Sequence, residues 1–414
     1  MDSISFYFYL FINLTVLFVY YKRDYGVYQF PFLIACVSLT FVAPQVINLL
    51  EYHYVNNSLT IIMFLMCVCN LALFWGFEFG KRYGAQKNYE IEFKGGKYYT
   101  FILWIFFLVG VAASLMNRGA YQGGFVSGTF VIISFFAGFI NYALLLILIG
   151  LKKDLISGKK YWFLIAIIIA VTIDKIVQSG RRAETINLVL TLSYFVMDRD
   201  ERIYRYLKPI IPLFFFFGMI IGSQIGKYRE NSYAGKMTFS ENIKSLNFSF
   251  DLKRTKMVKG EIYNAFEGIN NITLFSAYDY GAFNWNGIVH TYVPTALTGR
   301  TFKENLMVKG KGDALKKYLT RSGSTMTGYY DAFASFGVFG FIKFLVIGFF
   351  MGVFGNRRNH SQFSLFLYFP LLTPGLHLLT HSSNYFFCEL FFIGVAIYPI
   401  FRPNLIKTWN FLEH

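Results

Sequence analysis

Residues 98–116 read YYTFILWIFFLVGVAASLM, a block without a single charge, closed by Lys94 and Lys97 on one side and Arg118 on the other. A helix rises 1.5 Å per residue, so such a block is about as long as the roughly 30 Å hydrocarbon core of a bilayer is thick. Apolar blocks recur along the chain and mark eleven candidate spans: 4–21, 28–50, 59–77, 98–116, 126–151, 161–179, 185–197, 209–226, 332–355, 361–380 and 385–401. Across 414 residues the composition is 55% hydrophobic and 15% charged, too little polar material to cover a water-soluble surface. The reading is an all-α polytopic membrane protein: spans one to eight in 1–226, a long external loop in 227–331, and spans nine to eleven with a tail in 332–414. Cys36, Cys67, Cys69 and Cys388 all fall inside apolar blocks, where they read as small hydrophobes and not as a disulfide or metal framework. The first block has no basic region ahead of it and no small-residue cleavage site, so it is expected to stay as a span.

Basic residues near span ends resist translocation, which makes the short connections a guide to orientation. One alternate set holds nineteen: Lys22, Arg23, Lys81, Arg82, Lys87, Lys94, Lys97, Lys152, Lys153, Lys159, Lys160, Arg199, Arg202, Arg205, Lys208, Arg357, Arg358, Arg402 and Lys407. The opposite short connections hold three, Arg118, Arg181 and Arg182. This bias predicts an outside N-terminus and a cytoplasmic C-terminus. The long stretch 227–331 then falls outside despite fifteen Lys and Arg against eight Asp and Glu before Asp331, because long loops translocate largely regardless of charge. Loops of this length are commonly functional. Ile262, Phe266 and Ile269 repeat at helical spacing there, which predicts an amphipathic helix lying in the membrane interface. The segment LMVKGKGDALKKYL, with Gly310 and Gly312 between lysines, reads as a flap. The longest inner loop, 78–97, has no apolar face.

Nucleotide-activated substrates are cytoplasmic, so chemistry on the outer face needs a substrate already activated and delivered on a lipid. Asp198 and Asp200 form an Asp-x-Asp pair of the kind that metal-dependent sugar transferases use, but interleaved with Arg199 and Arg202 in a short inner loop they read as a solvated charge cluster. Phosphate-binding glycine loops, HExxH, CxxC and GxSxG are all absent from the sequence. The informative residues are basic and external. Arg181 and Arg182 sit in a short turn with Asp174 and Lys175 about two turns deeper, and Arg229 leaves span eight with Lys227. Arginine suits phosphate because its planar fork donates two hydrogen bonds at once. Arg181 and Arg182 have a plainer reading too, contact with headgroups or a pair with Glu184. Farther on, AFNWNGIVHTYVPTALTGRTFK combines Trp285, His290, Tyr292 and Arg300, where the aromatics can stack on sugar faces or form an interfacial belt. TRSGSTMTGYYDAFASFGVFG brings Arg321 and Asp331, with Gly337 and Gly340 permitting close helix packing. Lys343 is expected to snorkel or pair within the bundle. His377, His381, Asn384 and Glu389 lie at the outer ends of the last spans, where they complete a polar cavity.

Together, the span layout with one late external loop, the turn Ser179-Gly180-Arg181-Arg182, Val293-Pro294 with Arg300, and Ser324 to Gly328 leading into Phe336-Gly337-Val338-Phe339-Gly340 resemble the O-antigen (oligosaccharide repeat-unit) polymerases of bacterial envelopes. The resemblance implies a metal-independent glycosyltransferase of the membrane-embedded GT-C type, without a cofactor, in the bacterial inner membrane. Its substrates would be undecaprenyl-pyrophosphate-linked glycans and its surroundings membrane lipids; a chain-length regulator and a flippase would be its partners, with no role for nucleic acid. On this reading Arg181, Arg182, Arg229, Arg300 and Arg321 hold pyrophosphate, and His290 and Asp331 are the candidates for a base near the acceptor hydroxyl. An O-antigen ligase of similar layout and a lipid-linked oligosaccharide flippase are the alternatives; against the flippase, no internal repeat is present and the single long loop breaks any two-fold pattern.

Overall fold

The computed structural model describes residues 2–51, 57–85, 89–117, 129–179, 182–198, 201–215, 260–309, 326–357 and 361–409. They form a helical bundle. The first part of the chain supplies α1 (Asp2–Lys22), α2 (Phe30–Val37), α3 (Ala43–Glu51), α4 (Asn57–Ala85), α5 (Lys97–Met116), α6 (Thr129–Ala137), α7 (Phe139–Lys152), α8 (Lys159–Ser179), α9 (Arg182–Met197) and α10 (Glu201–Leu207). The later part supplies α11 (Glu261–Phe275), α12 (Ala282–Tyr292), α13 (Thr295–Thr298), α14 (Arg300–Leu306), α15 (Gly328–Phe336), α16 (Phe341–Arg357), α17 (Gln362–His377), α18 (Asn384–Phe392) and α19 (Tyr398–Phe401). Helices satisfy their backbone groups internally, which is what an apolar segment in hydrocarbon requires.

Among the described residues, seven helical stretches are long and apolar enough to cross a membrane. Of the other expected spans, 185–197 is a short apolar helix and 361–380 is the 16-residue α17 with a turn. Segment 161–179 is the full-length α8 but carries Asp174 and Lys175, and 209–226 is described only to residue 215. Two of the seven contain a π-turn, Ser38–Val42 joining α2 to α3 and Ile393–Ile397 following α18.

One end of the bundle is closed by a two-stranded antiparallel sheet, β1 (Tyr89–Phe93) with β2 (Leu405–Trp409), in the register Phe93 opposite Leu405. Loop 78–97 therefore has an apolar face after all. Phe93 is buried among Tyr99, Phe363, Phe366 and Phe401, and its N–H donates to Gln362 Oε1 at 3.2 Å. Ser361, the N-cap of α17, also donates to the Ile91 carbonyl at 2.8 Å, tying the strand to the bundle. At this sheet end Arg23 pairs with Glu78 at 2.6 Å, and Asp198 pairs with Lys152. The Asp-x-Asp aspartate thus has a structural partner; Asp200 lies outside the described residues.

α4 and α16 run in the same direction and touch along a glycine seam. A Cβ on Gly76 or Gly348 would stand 2.1 Å from the Leu345 or Leu73 carbonyl oxygen, and one on Gly80 or Gly352 would meet Phe349 or Phe77 as closely. Paired small-xxx-small positions let two backbones approach until Cα–H groups meet carbonyls.

α16 does not continue straight from α15. The chain doubles back through the 3-10 turn Gly337–Gly340, with Gly337 at φ +58°. Tyr329 stacks on Phe344 at 5.3 Å between ring centres, although residues fifteen apart in one helix would be separated by about 22 Å. The ninth expected span, 332–355, falls within the stretch Gly328–Gly355, one of the seven, and the turn at Gly337–Gly340 bends it so that Tyr329 meets Phe344.

α11 is also placed differently from its expectation. Ile262, Phe266 and Ile269 are buried against α3, α4 and α15, so its apolar face meets protein and not the membrane interface. Gly268 makes room for the Tyr330 ring, and Gln45 of α3 holds the helix start through Ile262 N at 3.1 Å and Glu261 at 3.0 Å.

Candidate functional site

At the bundle end opposite the sheet, residues 260–309 are folded onto the helices. α12 lies beside α18 and runs in the same direction, with Asn284 at Ser383, Gly287 at Asn384 and Thr291 at Cys388. Its last residue, Tyr292, donates to the Cys388 carbonyl at 2.8 Å and packs on Phe135, Phe391 and Phe392. That hydroxyl and ring are therefore engaged by protein. Trp285 remains half exposed while its Nε1–H donates to the Leu306 carbonyl at 2.7 Å. Asn286 clasps Val308 from both sides, accepting from its N–H at 2.8 Å and donating to its carbonyl at 2.9 Å. These bonds fold α14 back over α12, and Lys303 on α14 donates to the His290 carbonyl at 3.2 Å.

Beneath this cap lies a buried polar network. Asp331, in α15, is 0% exposed, and Lys343, in α16, is 6% exposed; the two pair at 2.9 Å. Lys343 also donates to Ser335 at 2.6 Å and to Asn284 Oδ1. The other Asp331 oxygen accepts from the Ser383 N–H at 2.9 Å and from its hydroxyl. Asn284 donates to Ser383 at 3.0 Å, and Ser335 donates to Asp279 at 2.9 Å. Asp279 further accepts from the Gly281 N–H at 2.7 Å. Burial pushes the Asp279 carboxyl up, against the downward pull of the nearby Lys343 charge. Every strong donor and acceptor here has a partner, the condition under which buried charge is tolerated. The reversal at Gly337–Gly340 makes the Asp331–Lys343 pair possible, since residues twelve apart in a straight helix are about 18 Å apart.

The expected site residues are distributed as follows. Asp331 is enclosed with its oxygens committed to Lys343 and Ser383. His290 is exposed on α12, six residues and so about 9 Å of rise beyond Asn284; the structure does not bring it to Asp331. Arg300 is exposed on α14 and pairs with Glu304 at 2.7 Å, which holds the arginine up and the glutamate below its ordinary range. Arg182 is the first residue of α9. Arg181, Arg229 and Arg321 lie outside the described residues, as do Gly310 and Gly312 of the expected flap. Next to Arg182, Glu184 pairs with Lys175 of α8 at 2.5 Å across the turn. Lys303, Asp279 and Asn284 were not singled out by the sequence reading. Lys303 alone left a signal, being one turn from Arg300; partial burial lowers its ammonium from the usual range.

The cap surface thus presents Trp285, His290, Arg300 and Lys303 together with exposed Phe302. Such a set can bind an anion through the cations and stack a ring on the indole. Among the described residues no cluster of three or more His, Cys, Asp or Glu has the geometry to hold a metal. Comparison with protein-family models, curated proteins and solved structures finds no match to this chain.

Proposed function

We propose that the chain polymerises polyprenyl-pyrophosphate-linked oligosaccharide repeat units on the outer face of a bacterial inner membrane, with its N-terminus outside and its C-terminus in the cytoplasm. The observation that carries this reading is the folded cap. Aromatic and basic side chains stand together at the bundle end where α8 meets α9, so a glycan carried on a lipid diphosphate would meet both kinds of group at once. Breaking a bond from sugar to pyrophosphate needs little protonation of the leaving group if fixed cations meet the developing charge. Arg181, Arg182, Arg229, Arg300 and Arg321 serve this role, joined by Lys303, and no metal or cofactor takes part. In this reading His290 contacts the glycan or the phosphate, and Asp331 acts from beneath by holding Lys343 and the cap in position.

The surface glycan of a deletion strain tests the reading. A ladder that collapses to single-unit capped lipopolysaccharide supports a polymerase, whereas loss of all capping indicates the ligase. The doubled-back pair α15–α16 favours one other reading, a lipid-linked oligosaccharide flippase, because transporters build their sites from discontinuous helices. In that case the deletion strain would keep its repeat units on the cytoplasmic side. Labelling of a Gly310→Cys variant from outside the inner membrane checks the orientation on which the proposal depends.

A further inference from the structure

Glu389 lies in α18, within the apolar stretch Asn384–Asn404. Its Oε1 accepts from the Tyr142 hydroxyl of α7. The other ionisable groups facing it are Tyr292 of α12 and, on its own helix, Cys388. Among the described residues no cation pairs with it, in contrast to Asp331 with Lys343. A carboxyl group in an apolar bundle without a matching charge is costly, and such groups commonly mark proton or substrate paths.

Two further features point to use of this carboxyl. His377 and His381 stack at 5.1 Å, His381 meets Tyr385 edge-on at 6.2 Å, and Tyr385 stands one helical turn from Glu389. This row of proton-carrying side chains leads from the cap end of α17 to the half-buried Glu389, and Tyr385 in it is exposed. The last turn of α12 is also held against the same turn of α18 by Thr291 and Tyr292, while Lys303 sits on the His290 carbonyl. One helix end therefore has a carboxyl on one side and a cation on the other.

We propose that Glu389 is the general base of this site, an assignment that rests on the transferase reading. The acceptor hydroxyl oxygen bonds to the anomeric carbon of the donor glycan. The carbon–oxygen bond to the lipid pyrophosphate breaks, its electron pair leaving on the pyrophosphate beside Lys303 and the arginines. The hydroxyl proton passes to the Glu389 carboxylate and out along Tyr385, His381 and His377 to water. Tyr142 is a positioning residue that aims the carboxylate.

The test uses the purified full-length protein and lipid-linked repeat units. Glu389→Gln keeps the volume and an acceptor for Tyr142 but removes the base. It should lower kcat at least about a hundredfold with KM unchanged, and Glu389→Asp should retain part of the rate. Tyr142→Phe should cost about tenfold in kcat, and the double variant Tyr142→Phe, Glu389→Gln should be no slower than Glu389→Gln alone, because the two act as a unit. A wild-type rate in Glu389→Gln, or losses that multiply in the double variant, overturns the proposal. If Glu389→Gln does not accumulate in the membrane, Glu389→Asp and Tyr142→Phe decide: lowered kcat at unchanged KM supports the base, and wild-type kcat in both overturns it. A wild-type protein that makes no polymer sinks the transferase reading itself, an outcome separate from an active wild type with an equally active Glu389→Gln.

Discussion

The two halves of α16 are held by opposite means. Its later turns lie on α4 through glycines, backbone against backbone, with no polar side chain between Gly348 or Gly352 and the facing carbonyls. Its first turn carries Lys343, enclosed by Asp331 and Ser335 of α15 and by Asn284 of α12. Close packing of this kind rewards one geometry and has nothing to rearrange. A buried ion pair adds little net stability over a well-packed apolar pair, yet losing one partner is expensive. The contrast teaches where to look for function: the glycine-packed half of α16 is built to stay fixed, whereas its cap end retains buried charge that packing alone does not need.

The largest effect should come from the polar half. Lys343→Met leaves the Asp331 carboxyl buried without its cation, expected to cost about 3 to 5 kcal/mol, and Asp331→Asn in the same chain should recover much of that. Thermal unfolding in detergent measures both, and equal stability of the single and double variants would remove the pair from the account. Next is the glycine seam. Gly348→Leu forces a side chain onto the Leu73 carbonyl and should destabilise by about 3 kcal/mol, with Gly348→Ala milder. A smaller loss in Gly348→Leu than in an exposed control on the same helix such as Ile342→Ala would break the comparison. Asn286→Ala frees Val308 from α12 at about 1 to 2 kcal/mol locally, seen as faster amide exchange at Val308 with the unfolding temperature little changed.

The smallest effect is a pH dependence. Because burial raises the Asp279 carboxyl, its ionised form is disfavoured in the folded protein. Its stabilising share is complete below the ordinary carboxylate range and is lost as pH rises through the raised folded value. Asp279→Asn should flatten that limb while still accepting from Ser335 and Gly281. A limb unchanged in the variant would assign it to other carboxyls.

The apolar blocks were readable because a membrane helix needs little besides length and hydropathy, and 98–116 became α5 with hardly a change in its bounds. The β1–β2 pair was not readable, since its strands are five residues each and separated by more than three hundred positions. The doubling back at Gly337–Gly340 was hidden for another reason: 328–355 is apolar on average, and hydropathy does not register a reversal. Without that reversal Asp331 and Lys343 look like unrelated charges on one helix. Of the site, the sequence singled out Arg300 and His290 by residue type, but only the fold shows that Lys303 joins them and that Tyr292 is committed to Cys388.

The most direct measurement is reconstitution of the purified chain with polyprenyl-pyrophosphate-linked repeat units in the presence of EDTA, followed by separation of the glycans by length. The expected result is a ladder of products two units and longer, with free polyprenyl pyrophosphate released in step with each linkage. Units that remain single with the lipid fully charged would contradict the proposed polymerisation, and a ladder that forms only when magnesium is restored would contradict its metal-independent chemistry.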